Sequence, residues 1–501
     1  MTEREPEDRL VRPRATNALV AAIFGSGMAF VDGTVVNVAT ATLQTNFSAT
    51  VAQVQWVVEA YALTLSALLL LGGRLGDLYG RRRVFIWGNI LFAASSLLCA
   101  ISGSLIELVL ARGVQGIAAA LLIPGSLTII TSAYPASERA RAIGIWSGST
   151  AMMGAIGPFL GGWLIDHLSW RVAFFMSLPM AAVAALFASR LAESKLSGDH
   201  EAPNWTSSVC MVAAFGTLTY ALLSAQGEPG RALPAAFASA FFFVALAMFE
   251  RRAATPLFPA SLLKSRVFVA VNAITLFLYA ALAGAIYFLP LNLIQVHHYA
   301  ASEAGAALAP MILTLFVLSY WAGGLLGRYG ARLSLTVGSC IVSVGFLGLC
   351  LPGTGGSYWS TFFVPMLILG LGMSICVSPL TTTVMNSAPD DQLGAASGIN
   401  NAVSRVAGLL SVAVFGLLLS VSFNLQLDSS LKPLQLSRGE QTEVDRQRPL
   451  LAAAHYVRPA IQQATDASFV GSFRVLMACS AGLSLVSAAC AWSMLKADRS
   501  R

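Results

Sequence analysis

The sequence predicts an all-α membrane protein: fourteen transmembrane helices, arranged as two six-helix bundles with two helices inserted between them. Three observations predict it. Of 501 residues, 56% are hydrophobic and only 11% charged, against about 25% charged in ordinary globular chains. Apolar runs recur from end to end, each long enough to cross a hydrocarbon core of ~30 Å as a helix. Backbone groups in lipid must pair within their own segment, which selects helices, and the alternation of a membrane β-barrel is absent. Finally, a charged motif occurs twice. Gly73, Leu75, Tyr79, Gly80 and Arg82 return as Gly323, Leu325, Tyr329, Gly330 and Arg332, whereas Gly327 stands where Asp77 would be. A repeat that keeps the acid in one copy only implies two related halves with unequal jobs.

The spans are read at 15–43, 51–72, 83–103, 105–133, 137–165, 170–190, 204–225, 232–251, 267–294, 303–326, 331–352, 358–385, 393–423 and 468–495. Twenty-one lysines and arginines fall in or beside the tails and the short turns on one side, while the opposite short turns hold only Arg171 and Arg231. By the positive-inside rule both termini are cytoplasmic, in a bacterial inner membrane. The net charge of +7 is therefore a topology signal spread over turns, and no nucleic-acid partner is expected. Pro135 and Gly144 recur as Pro389 and Gly398, so spans 1–6 correspond to spans 9–14. Residues 1–14 read as a cytoplasmic tail, 15–190 as the N-terminal bundle, and 191–266 as two inserted helices with an amphipathic cytoplasmic linker. Residues 267–501 form the C-terminal bundle, with a long outer loop at 424–467. Parallel halves of this kind place a substrate site at their interface near mid-membrane.

Ionisable residues inside a membrane are costly and mark function by default. Asp32, Glu59, Arg112, Arg405 and Arg474 are the charged residues well inside the spans. Burial disfavours an ionised carboxylate, so Asp32 and Glu59 suit acids that hold a proton and release it when hydrated or when a cation arrives. Arg112 stays charged and can only tune a neighbouring acid. The competing reading for each is a static ion pair. In span 5, Pro158 removes a helix donor, and Gly157, Gly161 and Gly162 permit close helix approach, which makes a tight seam and bending point. Asp77 with Arg81 reads as a cytoplasmic latch in which Asp77 accepts from arginine or a facing helix N-terminus; Arg83 only sets topology.

These residues lie in recognisable motifs. Gly73-x-Leu75-x-Asp77-x-x-Gly80-Arg81-Arg82, Arg112-Gly113-x-Gln115-Gly116, Gly144 with Gly157-Pro158-x-x-Gly161-Gly162, and Val31-Asp32-x-Thr34-x-x-Asn37 resemble the major facilitator superfamily. More narrowly, they resemble its fourteen-helix drug:proton antiporters, the bacterial multidrug exporters. One antiporter-motif glycine is Met153 here, beside Gly154. The resemblance implies the major facilitator fold and proton coupling at Asp32 and Arg112. It also adds Asn37, Gln115, Asn401 and Arg405 to Asp32 and Glu59 as substrate-site candidates.

The leading function is proton-coupled efflux of amphipathic drugs or toxic compounds by alternating access. Export of one metabolite (an amino acid, siderophore or lipid-like compound) and a non-transporting membrane sensor or scaffold are the alternatives. No phosphate-cradling loop occurs and no metal spacing appears among the cysteines. The proton motive force is therefore the expected energy source, with no cofactor, and no nucleophile–base arrangement marks an enzyme. Two buried acids suit lipophilic cations, apolar positions along spans 1, 2, 9 and 12 suit bulky hydrophobic compounds, and neutral drugs fit as well. The expected partners are this small substrate, protons and the lipid bilayer, for a monomer whose outer loop leaves room for a periplasmic adaptor.

Overall fold

The computed structural model describes residues 5–193, 204–253, 256–389 and 392–495, without the side chains of 5–14, 136, 137, 140, 151, 320–328 and 394. Residues 1–4 of the tail, 194–203 of the inserted segment and the side chains of the second motif copy from Gly323 to Arg328 therefore lie outside the described residues.

The chain folds into helices α1 (Glu5–Asn46), α2 (Val51–Tyr79), α3 (Arg81–Ile101), α4 (Leu105–Ala133), α5 (Ala136–His167), α6 (Trp170–Phe175) and α7 (Ser177–Ser189). Then come α8 (Trp205–Ser224), α9 (Pro229–Arg252), α10 (Ala260–Lys264), α11 (Arg266–Gln295), α12 (Ala301–Ala306) and α13 (Ala309–Gly348). The chain ends with α14 (Tyr358–Thr361), α15 (Phe363–Asn386), α16 (Leu393–Leu431), α17 (Arg438–Gln447) and α18 (Pro459–Met494). Among the described residues thirteen stretches are long and apolar enough to span a bilayer; α5, 32 residues long and packed on α1 and α12, supplies the fourteenth. We call the side with the chain termini the terminal face and the other the distal face.

Local chemistry sets the helix ends. Thr50 and Gln53 form a reciprocal capping box at the start of α2, and Ser104 caps α4, satisfying first-turn amides that have no partner within the helix. At the opposite end of α2, Gly80 takes φ +103°, and its repeat partner Gly330 takes φ +73° inside the kinked α13. Both turns need the left-handed region, where a side chain is strained, so the sequence repeat marks a shared backbone requirement.

Helices α1–α7 enclose the N-terminal cores, with Phe85, Phe92 and Leu122 in one and Leu43, Val57 and Phe174 in another. Helices α11–α18 enclose a single larger core around Phe288, Phe346, Phe423 and Phe473. The inserted α8 packs on α2 and α16, while α9 packs chiefly on α8, leaving Phe237, Phe241 and Val244 exposed, as a lipid-facing helix would.

The distal end departs from the sequence reading. The stretch 424–467, read as a long loop, is mostly helical: α16 continues to Leu431 and α18 starts at Pro459, with α17 and a 3-10 turn at Arg448–Ala453 between them. Polar residues misled the reading because helices standing beyond the bilayer need no apolar face towards lipid. The cap is tied down by ion pairs from Arg448 to Asp428 at 2.7 Å and from Arg458 to Glu440 at 3.2 Å. Its Val444, Leu451 and Ala454 are buried.

Arg474 is relocated by the same extension. It lies about 22 Å along α18 from Pro459 at 1.5 Å per residue, yet its guanidinium donates to the Pro352 carbonyl at 2.9 Å, just past the end of α13. There it ties α18 to the turn that follows α13, at the distal surface instead of deep in the membrane.

Candidate functional site

Within the N-terminal bundle, α1, α2 and α4 bring the predicted residues together. Arg112 and Gln115, one turn apart on α4, point at Asp32 on α1. The Asp32 carboxylate is ion-paired with Arg112 Nη1 and accepts from Gln115 Nε2 at 3.0 Å. Arg112 Nη1 also donates to Gln115 Oε1 at 2.6 Å, and its Nε donates to the Val57 carbonyl at 3.0 Å. Gln115 further donates to Ser96 Oγ at 2.8 Å. The Tyr61 ring lies 4.3 Å from the guanidinium carbon, a cation–π contact, and its hydroxyl donates to the Ala29 carbonyl at 3.1 Å. The Asp32 and Arg112 side chains are 2% and 1% exposed. A buried pair of this kind tolerates its desolvation only because both charges find further hydrogen bonds.

Glu59 is a different case. It is wholly buried, and neither carboxylate oxygen has a hydrogen-bond partner among the described residues. Helix α2 explains the split. Val57 and Tyr61 face α4 and α1, while Gln55, one turn before Glu59, donates to the Val412 carbonyl of α16 at 3.1 Å. Glu59 therefore sits on the face of α2 turned to the C-terminal bundle. Asn37 is also left with a buried, unpartnered oxygen, Oδ1.

Across the interface, α16 presents Gly398, Asn401, Ala402 and Arg405 at helical spacing. Leu70 lies beside Gly398, Ala402 packs into an N-terminal core, and the Arg405 guanidinium lies 5.2 Å from the Phe30 ring centroid on α1. Asn401 is exposed and donates to Ser397. The structure thus gathers Asp32, Arg112 and Gln115 into one cluster, and leaves Glu59, Asn37, Asn401 and Arg405 outside it.

The span 5 motif forms a seam in two directions. Gly157 and Gly161 lie against Thr34 and Val35 of α1, and Gly162 lies against Ala301 of α12. Gly144 has open space where a side chain would stand, so it belongs to no close approach. Pro158 is inside α5, with its carbonyl facing Gly305. The seam also contains a residue that the sequence reading missed. Asp166 accepts from the backbone amides of Ala301 at 2.9 Å and Ser302 at 2.8 Å, tying α5 to α12 at the distal face. Its position after an apolar run, at a span end, was the available signal.

At the terminal face, Arg81 donates to Asp77 at 3.2 Å. No facing helix N-terminus is bound to Asp77 among the described residues. The wider latch reaches α7 instead: Arg82 donates to the Ser189 carbonyl at 2.9 Å, and Glu193 accepts from the Arg82 amide at 3.2 Å and pairs with Arg83 at 3.6 Å. Arg83 therefore has a partner as well as a topological role. Gly73 lies beside Pro124 of α4. Among the described residues no group of three or more His, Cys, Asp or Glu could hold a metal ion.

Comparison with known proteins identifies the family. The family described as Major Facilitator Superfamily matches residues 22–412. The chain is 30% identical over 418 residues to the Multidrug resistance protein Stp of Mycobacterium tuberculosis, covering 83% of this chain and 78% of that protein. It is 33% identical over 414 residues to the Methylenomycin A resistance protein of Bacillus subtilis, covering 81% and 88%. A solved bacterial homologue of the human lysosomal transporter Spinster, inward-facing and unoccupied, superposes with a TM-score of 0.67 at 17% identity, covering 97% and 99%; that likeness speaks for the fold. The chain belongs to the Major Facilitator Superfamily, and it is a multi-pass membrane transporter, not an enzyme.

Proposed function

We propose that this transporter exports amphipathic compounds across a bacterial plasma membrane in exchange for protons, by alternating access between its two bundles. The observation that carries the reading is the buried Asp32–Arg112–Gln115 cluster. A carboxylate and a guanidinium enclosed in a membrane-spanning bundle form a bistable element: protonation of Asp32 removes the charge that holds Arg112. Arg112 keeps its own charge and must then find other acceptors, which alters how α1, α2 and α4 pack. In the conformation described here Arg112 and Gln115 close off Asp32, so proton exchange at this acid belongs to another state of the cycle. Glu59, buried without a donor, is accommodated as the neutral acid, which makes it the second proton site. The resistance proteins among the relatives support outward transport of toxic compounds.

The contacts that hold the distal face shut support the rocking motion. Asp166 with α12, Gln55 with α16, and Gln295 donating to Gln44 at 2.9 Å all bridge the two halves on that side. With both termini cytoplasmic by the positive-inside rule, the distal face is the outer one.

The test is Asp32→Asn in proteoliposomes with an imposed proton gradient. We expect correctly inserted, monodisperse protein with proton-driven substrate movement reduced at least about a hundredfold, the scale of a lost essential proton group. Wild-type rates in the variant would remove Asp32 from the coupling mechanism.

A further inference from the structure

Arg405 is the charge that neither the proton cluster nor the latches use. It lies on the face of α16 turned to the N-terminal bundle, with Gly398 and Ala402 of the same face packed against that bundle. Its guanidinium has no hydrogen bond and no ion pair among the described residues; its neighbour is the Phe30 ring at 5.2 Å. Phe30, Tyr279 and Arg405 each keep partial exposure, and Asn401 one turn away is exposed, so the guanidinium is within reach of a bound molecule.

The acids nearby are already committed. Asp32 is held by Arg112 and Gln115, and Glu59 is sealed without a donor, a setting that favours its neutral form. What remains is one permanent positive charge beside the Phe30 ring. A lipophilic cation entering here would meet a like charge. A planar anion would gain charge-assisted hydrogen bonds to the guanidinium fork and contact with the Phe30 ring.

We propose that Arg405 makes this face of α16 a receptor for anionic aromatic amphipaths, carboxylates or phenolates, in preference to lipophilic cations. This rests on the exporter reading only in placing the substrate between the bundles, and it reverses the preference for cations that two buried acids suggest on sequence alone.

The test is equilibrium binding to the purified full-length protein, measured by fluorescence anisotropy with carboxyfluorescein as the anion and ethidium as the cation. We expect wild type to bind carboxyfluorescein at least tenfold more tightly than ethidium, with affinity falling as salt rises. Arg405→Ala should lose that preference tenfold or more while eluting and melting like wild type, and Arg405→Lys should retain part of it. Where Arg405→Ala does not elute as a single species, Arg405→Gln takes its place. Tighter ethidium binding, no saturable carboxyfluorescein binding, or an unchanged preference in the neutral variants would overturn the assignment. Transport of both probes in proteoliposomes separates the two readings. Proton-driven ethidium export without an anion preference would sink this proposal and leave the pump. Arg405-dependent anion binding in a protein that moves neither probe would do the opposite.

Discussion

Asp32 and Glu59 are both buried acids, yet their surroundings predict opposite responses to mutation. Asp32 shares a network with Arg112, Gln115 and Ser96. Truncating one partner of such a pair leaves an uncompensated charge, so Arg112→Ala is expected to cost roughly 3–5 kcal/mol. That cost should shrink when Asp32→Asn is present too, and thermal unfolding of the single and double variants in detergent measures the difference. Glu59 has no partner to lose. Glu59→Gln, close to it in shape and neutral, should cost no more than about 1–3 kcal/mol, the scale of a buried donor left unpaired. A large loss of stability in Glu59→Gln would mean that the ionised form is the one the fold holds.

Among the elements, the α5–α12 seam and the distal cap invite separate tests. A Cβ on Gly162 would stand 2.4 Å from the Ala301 carbonyl oxygen, and one on Gly305 would stand 2.2 Å from the Pro158 carbonyl oxygen. Overpacking of this kind costs about 1–3 kcal/mol, and Gly162→Ala charges it only to the state with the distal face shut. That state should lose roughly tenfold in population relative to the open one. The amides of Ala301 and Ser302, which Asp166 protects, should exchange hydrogen correspondingly faster. In the cap, the Ser437 amide and hydroxyl and the Arg458 guanidinium hold the Glu440 carboxyl below its ordinary value of 4.5. A depressed carboxylate contributes stability above that value and loses it as pH falls through its folded-state value. Exchange protection across Arg438–Gln447 should therefore be constant at neutral and mildly acidic pH, then fall once pH drops below the ordinary carboxylate range.

For the whole molecule, orientation and asymmetry are the quantities at stake. The basic residues gathered on the terminal face predict cytoplasmic termini. A fluorescent protein fused to the C-terminus should mature and glow, and alkaline phosphatase at the same site should stay inactive; the reverse pattern would invert every assignment of inside and outside. The hydrogen bonds that tie the two halves together among the described residues are distal: Asp166 to α12, Gln55 to α16, Gln295 to Gln44, and Gln44 donating to the Leu450 carbonyl of the cap at 2.8 Å. The acid-bearing cluster lies in one half only, and Arg405 approaches it from the other.

Much of this was legible in the sequence for a physical reason: lipid enforces long apolar helices whatever their neighbours, and a turn such as Gly80 or Gly330 needs its glycine locally. The fourteen spans, the repeat and the intramembrane ionisable residues follow from that. The polar cap did not, because helices beyond the bilayer carry no apolar signature. Nor did the partners, since which helix faces meet depends on packing across distant segments. Asp32 and Arg112 are eighty residues apart, and nothing local to either announces the other. Only the tertiary structure decided that Asp32 is paired, that Glu59 is left without a donor, and that Arg405 remains the uncommitted charge between the bundles.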